Sequence, residues 1–371
     1  MSAPAVPLQR TALYAEHLAL GARMVPFGGF EMPVQYAGIL KEHDAVRRRA
    51  GIFDLSHMAQ YELRGEGVAA WADALTVNVV GTMKPLQARY NIFTNPRGGC
   101  MDDVLFYRLP DRWLLVVNAA NAAKMWPYLQ AAAAGRSGVA LESRHGSRAL
   151  IAVQGPRAVE LVASLCDVDA AGIKYYFCLE GRVDGAPAII ARTGYTGEDG
   201  FELFVEGEDA PRLWRTLLAR GAELGLEPAG LGARDVLRLE AGMPLYGFEL
   251  TEDISPVAGG QGWAVKLTKG EFEGRAALAA QVEADTFDRI AGIVLAGRVP
   301  ARTGYPVFLA GERVGEVRSA SLAPAAGNKN VATVLVRKGA AAVGTALDVE
   351  IRGTKHAATV VPLPFYKRAP I

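Results

Sequence analysis

Three cysteines in 371 residues, Cys100, Cys166 and Cys178, are too few and too irregularly spaced for a disulfide framework or a CxxC metal knuckle. Free thiols suit a reducing compartment, so the expected setting is the cytoplasm. Charge of one sign is scarce too: 40 basic residues against 39 acidic ones leave +1. That balance points to neither nucleic acid nor an anionic membrane as a partner. No run approaches the ~20 apolar residues of a membrane span. The N-terminal stretch has no basic region followed by an apolar core, so no secretory signal is expected. The five histidines show no ligand spacing, and no metal is expected. No serine sits in a nucleophile elbow. The loop "RTGYTGEDGFE" lacks the Lys-Ser/Thr ending of a phosphate loop and precedes a strand rather than a helix.

What the chain does have is apolar residues at 50% and charged ones at 21%, ordinary for a globular protein with a sizeable core in two or three domains. The spacing predicts helices over 39–49, 69–75 and 120–134, and strands over 59–64, 88–94, 104–109 and 113–118. Strands and helices do not alternate regularly, which disfavours a doubly wound parallel sheet. The expected fold class is α+β with mostly antiparallel sheets. From about residue 288 the pattern becomes short apolar runs separated by Gly, Pro and charge, as in a β-barrel-like module. The charged stretch "QVEADTFDR" marks the boundary, giving regions 1–280 (two interwoven α+β domains) and 288–371.

Two stretches invite chemistry. In "GGCMDDVLFYR", Asp102 and Asp103 precede an apolar run, and strand alternation sends them to opposite faces. Residue types and spacing leave two readings open: both at a solvated turn, or one aimed into a cavity, where a lone carboxylate needs a partner. Glu202, inside the strand "FELFV" after the glycine loop, suits a contact with an amidine-like ring edge. In "GARDVLRLEAGM", Arg234 stands where it could reach an anionic group or could join an ordinary intrahelical ion-pair set with Arg238, Asp235 and Glu240. His57 is a lone histidine in "DLSHM". Cys100 reads as a small apolar filler.

Taken together, "VPFGGFEMPVQY", "RRRAGIFDLSHM", "YNIFTNPRGGCMDDVLFYR", "VQGPRA", "RTGYTGEDGFE", "GLGARDVLRLEAGMPLYG", "SPVAGGQGW", "KGEFEGRAAL" and "PFYKR" resemble, in order and spacing, the aminomethyltransferase (T-protein) family of the glycine cleavage system. The resemblance implies three domains around a central funnel that binds tetrahydrofolate. It implies transfer of the aminomethyl carbon from the dihydrolipoyl arm of the H-protein to folate, giving ammonia and 5,10-methylenetetrahydrofolate, with the P- and L-proteins as functional partners. Matched by motif, Asp103 is the key carboxylate. Glu202 and Tyr195 match pterin contacts, and Arg234 the arginine of the "AxARD" motif. Met58, Tyr90, Val116, Trp263, Arg302 and Tyr366 fall where relatives line the folate pocket. Asp102 is expected to face away, capping the turn after Gly99. Arg234, Arg238, Lys367 and Arg368 are candidates for steering the carrier. Where relatives read Ser-Pro-x-Glu-Ala-Gly-Leu before the tryptophan, this chain has Ala258 for the glutamate and Gln261 for the leucine. Two rival readings are a folate-dependent demethylase of the same fold and a non-catalytic folate-binding accessory protein.

Overall fold

In the computed structural model, which describes residues 7–369, the strand carrying the aspartates runs Cys100–Arg108. It starts earlier than its apolar run predicts, because Asp102 and Asp103 are laddered to Phe93 and Ile92 of the neighbouring strand. The aspartates are therefore inside the sheet. The turn that leads in needs Gly99: a Cβ there would come within 1.7 Å of the Glu252 carbonyl oxygen. That close approach lets the Cys100 N–H donate to Thr251 O at 2.8 Å, tying the turn to the 251–254 loop.

This aspartate sheet has five antiparallel strands in the order Ala88–Thr94, Cys100–Arg108, Trp113–Val117, Ala59–Arg64 and Ala140–Ser143. Period-2 alternation divides its side chains between two faces. Val104, Phe106, Leu115 and Val117 pack against helices Val68–Leu75 and Ala122–Ala133 through Trp71, Ala72, Met125 and Leu129. Tyr107, Leu114 and Val116 point the other way, toward a second sheet.

The second, glutamate sheet has six strands ordered Cys178–Val183, Ala186–Ala191, Gly200–Glu206, Arg148–Gln154, Ala50–Asp54 and Leu226–Pro228. Only the last pair is parallel. Phe201, Leu203 and Val205 face helices Ala158–Ala163 and Ala210–Gly221, while Phe204 faces the aspartate sheet. Ala233 and Leu237 of helix Leu231–Glu240 complete the apolar layer between the sheets.

The two sheets are copies of one unit, a duplication that the sequence pattern did not announce. Each contains a strand, a glycine turn, a helix, a left-handed residue (Leu86, φ 64°, or Tyr176, φ 63°) and then an edge strand. The copies join reciprocally there: Ala88 N donates to Tyr176 O and Cys178 N to Leu86 O, both at 2.8 Å. After helix Arg275–Ala284 comes a closed six-stranded barrel, ordered Arg289–Leu295, Lys329–Val336, Glu312–Ala323, Pro306–Leu309, Ala346–Ile351 and Thr354–Val361. No helix among the described residues is long and apolar enough to cross a membrane.

Gly99→Ala sets backbone against backbone, so it should cost about 2–4 kcal/mol in urea unfolding. Gly339→Ala, with nothing within 4 Å of its Cβ position, should change stability by less than about 1 kcal/mol.

Candidate functional site

Asp103 shares its strand face with Tyr107, so it points into the space between the sheets. Its Oδ2 accepts from the Tyr90 hydroxyl at 3.1 Å, and its Oδ1 accepts from the Asn118 amide at 2.9 Å. Asp102 points the opposite way, as alternation requires, but it is not solvated. It is 0% exposed and caps no turn after Gly99. Its Oδ1 accepts from Asn118 Nδ2 at 2.8 Å and Asn121 Nδ2 at 2.6 Å, and its Oδ2 from Asn118 N at 3.2 Å. The solvated-turn reading and the expected capping role of Asp102 are both corrected. Asn118, just past the last paired residue of its strand, reaches around the end of the sheet and holds both carboxylates.

Burial raises the pKa of both acids. Asp102 is pushed up to about 8, with the Asp103 charge as the next cause and its three N–H donors opposing. Asp103 is pushed up to about 6, restrained by the Tyr90 and Asn118 hydrogen bonds. At neutral pH the pair thus favours one negative charge, carried by Asp103. Burial also holds the Tyr90 phenol protonated, so it stays a donor.

Glu202 projects from the facing sheet, where it is laddered to Ala152 and Ala191. It is buried, and its Oε2 accepts from Thr193 Oγ1 at 2.5 Å and Tyr107 OH at 3.3 Å. Oε1 takes no partner among the described residues. The preceding loop is positioned by Gln154, which donates to Thr193 O at 3.0 Å and accepts from Thr196 Oγ1 at 3.0 Å. Gly194 is required beside it, since a Cβ would lie 2.0 Å from Gln154 Oε1. Arg234, in the first turn of helix Leu231–Glu240, places its guanidinium 4.6 Å from the Tyr195 ring centroid. The guanidinium makes no hydrogen bond or ion pair with any described residue. Burial depresses its pKa, with Tyr195 and Glu202 opposing. The Tyr195 hydroxyl donates to Pro244 O.

Of the remaining sequence candidates, Val116 is buried in the layer between the sheets and Met58 packs against it. Trp263, 59% exposed, stacks on Tyr90 with centroids 5.5 Å apart and planes at 25°. Tyr366 lies elsewhere: its ring sits 4.1 Å from the Arg47 guanidinium, in a cluster with Glu198 and Glu240. Arg302 is exposed in the loop before Pro306–Leu309, and no contact joins it to the others. Arg238 is 2% exposed, bonded to Asp235, Glu249 and Ser319, so it is withdrawn as a steering residue. His57 is buried against Phe27, and burial lowers its pKa to about 4. Sequence reasoning missed Asn118, Asn121, Tyr107 and Thr193. Asn118 did carry a signal: it ends a predicted strand two residues after Val116, on the same face.

Two mostly antiparallel sheets with buried carboxylates on their facing sides, an uncommitted guanidinium beside them and a closed barrel appended define the class of protein. The chain matches the GCVT N-terminal domain over residues 13–269 and the glycine cleavage T-protein C-terminal barrel domain over residues 289–367. It is 47% identical to the aminomethyltransferase of Moorella thermoacetica over 362 residues, 97% of this chain and 98% of that protein. To the aminomethyltransferase of Streptomyces coelicolor it is 47% identical over 367 residues, 97% and 98% of the two chains. The crystal structure of glycine cleavage system aminomethyltransferase T from Bartonella henselae superposes with a TM-score of 0.90 at 33% identity, covering 97% of this chain and 98% of that one. The chain belongs to the glycine cleavage T-protein family.

Because both folded pKa values lie above the ~4 of an unfolded aspartate, the carboxylates favour the folded state most at low pH. That contribution is lost as pH rises through about 6 and about 8. Asp102→Asn turns an amide donor toward Asn118 N–H and should cost roughly 1–3 kcal/mol. The wild-type advantage over this variant should be largest near pH 4 and shrink toward pH 8, as read by urea titrations across that range.

Proposed function

We propose that this protein transfers the aminomethyl-derived carbon from the lipoyl arm of the H-protein of the glycine cleavage system to tetrahydrofolate. Ammonia leaves and 5,10-methylenetetrahydrofolate forms. The observation that carries this reading is the pair Asp103 and Glu202, carboxylates on facing sheet faces, each fixed by donors and each with a different task. The H-protein is the direct partner, the P- and L-proteins are functional ones, and the cytoplasm is the setting in which three free thiols stay reduced. Residues 1–280 form the folate-holding region and 288–371 the barrel that closes on it.

The residues fit the co-substrate. A pterin presents adjacent N–H donors on its amino-pyrimidinone edge, and Glu202 offers an Oε1 acceptor while Thr193 and Tyr107 occupy Oε2. Arg234 supplies a half-buried positive charge with no counter-ion among the described residues, and Tyr195 a ring face beside it. Met58 and Val116 supply apolar wall, Tyr90 and Trp263 an aromatic one. Arg302 and Tyr366 remain as outlying candidates for the glutamate tail. When bound, tetrahydrofolate supplies the amine nucleophile N5. Asp103, ionised and pinned by Tyr90 and Asn118, orients the N5 hydrogen and takes up its proton. Asp102, neutral behind Asn118, keeps that amide in place. The apolar layer between the sheets limits water, which protects a carbon at the iminium level from hydrolysis. A protein that only stored folate would have no need to hold a carboxylate opposite the reacting nitrogen, and this argument favours transfer over binding alone.

Asp103→Asn should lower turnover by roughly 10²–10⁴-fold with folate affinity little changed. Methylenetetrahydrofolate formation from aminomethyl-loaded H-protein, with calorimetry of folate binding alongside, measures both. Equal losses in affinity and turnover would remove the acid/base role. In the wild type kcat/KM should rise with pH through about 6, as Asp103 loses its proton. Glu202→Gln should weaken folate binding by roughly 1–3 kcal/mol; unchanged binding heats and affinity would exclude the pterin contact.

A further inference from the structure

Trp263 is an exposed aromatic with a fixed pose. Its indole Nε1–H donates to Gln261 Oε1 at 3.0 Å, from a side chain that is itself 9% exposed. No other polar contact holds the indole among the described residues. Gln261 has little freedom of its own. Its N–H donates to Pro256 O at 2.7 Å, and its carbonyl accepts from Ala264 N at 3.0 Å. The segment is anchored at one end to the barrel, where Ile290 N donates to Ala258 O at 2.9 Å. At the other end Lys266 N donates to Val77 O at 2.9 Å. Ring stacking alone leaves an indole free to rotate in plane and slide, whereas an N–H bond to a fixed carbonyl sets its direction. The indole so fixed lies on Tyr90, whose hydroxyl donates to Asp103 at 3.1 Å.

We infer that Gln261 is a positioning residue for Asp103: by gripping the Trp263 indole it seats Tyr90, and through the Tyr90 hydroxyl it sets the proton affinity and aim of the carboxylate. This rests on the reading of Asp103 as the acid/base, and it makes the loop before the barrel part of the machinery. The charged and titratable groups around Asp103 are Asp102 and Cys100 on its own strand and Tyr90 on the adjacent one. Tyr195 in the glycine loop and Glu249 beyond helix Leu231–Glu240 lie near it as well, with Arg238 bonded to Glu249 at 3.1 Å. Of these, the Tyr90 hydroxyl is the donor that favours the ionised form. A Tyr90 ring that wanders donates less, so the Asp103 midpoint must rise.

The test is Gln261→Met, which keeps the length and volume of the side chain and removes the acceptor. In the ligand-free protein, carboxyl carbon NMR follows the Asp103 titration, assigned by its loss in Asp103→Asn. The midpoint should move upward by about half a pH unit in Gln261→Met and further in Tyr90→Phe. In the loaded reaction kcat should fall roughly 3- to 10-fold, with KM for folate changing less. Trp263→Phe removes the N–H but keeps an aromatic ring. Placed in that background, Gln261→Met should produce no further shift. A midpoint in Gln261→Met equal to the wild-type value overturns the inference, and so does a shift that persists undiminished in the Trp263→Phe background. If Gln261→Met fails to fold, Trp263→Phe alone must show the upward shift or the inference falls. Because the titration needs no turnover, a wild type that forms no methylenetetrahydrofolate would sink the functional reading while leaving this question decidable.

Discussion

One amide, that of Asn118, does what a strand by itself cannot. Alternation sends Asp102 and Asp103 to opposite faces, where each would be a buried carboxylate paying for its own desolvation. Asn118 stands at the open end of the adjacent strand and donates to both, at 2.8 and 2.9 Å. The consequence is a coupled pair in which charging one acid opposes charging the other. Asp103 alone has the Tyr90 hydroxyl, so the charge settles on the face between the sheets. Burial sets the upward direction of both pKa shifts and, with the Asp103 charge, keeps Asp102 neutral, while the Asn118 amide opposes the rise at each acid and fixes the aim of Asp103.

The facing sheet and the barrel serve the same end through helix Leu231–Glu240. Its first turn carries Arg234 to the site. Further along, Arg238 donates to Glu249 at 3.1 Å and to Ser319 of the barrel at 2.7 Å, while Glu249 accepts from barrel Thr333. At its end Glu240 accepts from His43, Arg47 and the barrel-side Ala325 N–H, and its carbonyl accepts from Tyr366 N. These are buried, multiply bonded charges whose loss leaves unpaired groups behind, so they fix the helix firmly. The barrel is thereby a clamp on the helix that presents Arg234.

Much of this was legible in the sequence. Strands 59–64 and 88–94 have the predicted bounds because their apolar periodicity is strong. The α+β class and the closed barrel followed from turn spacing, and Glu202 from a charge placed within an apolar strand. Other features were hidden for identifiable reasons. The aspartate strand begins at Cys100 because its ladder tolerates carboxylates that periodicity treats as an end. Asn118 looked like a strand terminus because nothing local shows which groups a terminal amide will reach. The duplicated sheets conserve glycine turns and backbone conformation more than side chains. Arg238 looked like a surface charge because its partners, Glu249 and Ser319, lie 11 and 81 residues away in the chain.

The central claim is that the site holds the pterin by Glu202 with the reactive amine beside Asp103. The most direct measurement is a crystal structure of the complex with tetrahydrofolate, grown anaerobically. The account predicts the amino-pyrimidinone edge on Glu202 Oε1 and N5 within hydrogen-bond reach of Asp103, with the Asn118 and Tyr90 contacts unchanged. A pterin bound with its edge away from Glu202, or with N5 turned from Asp103 toward the barrel, would contradict it.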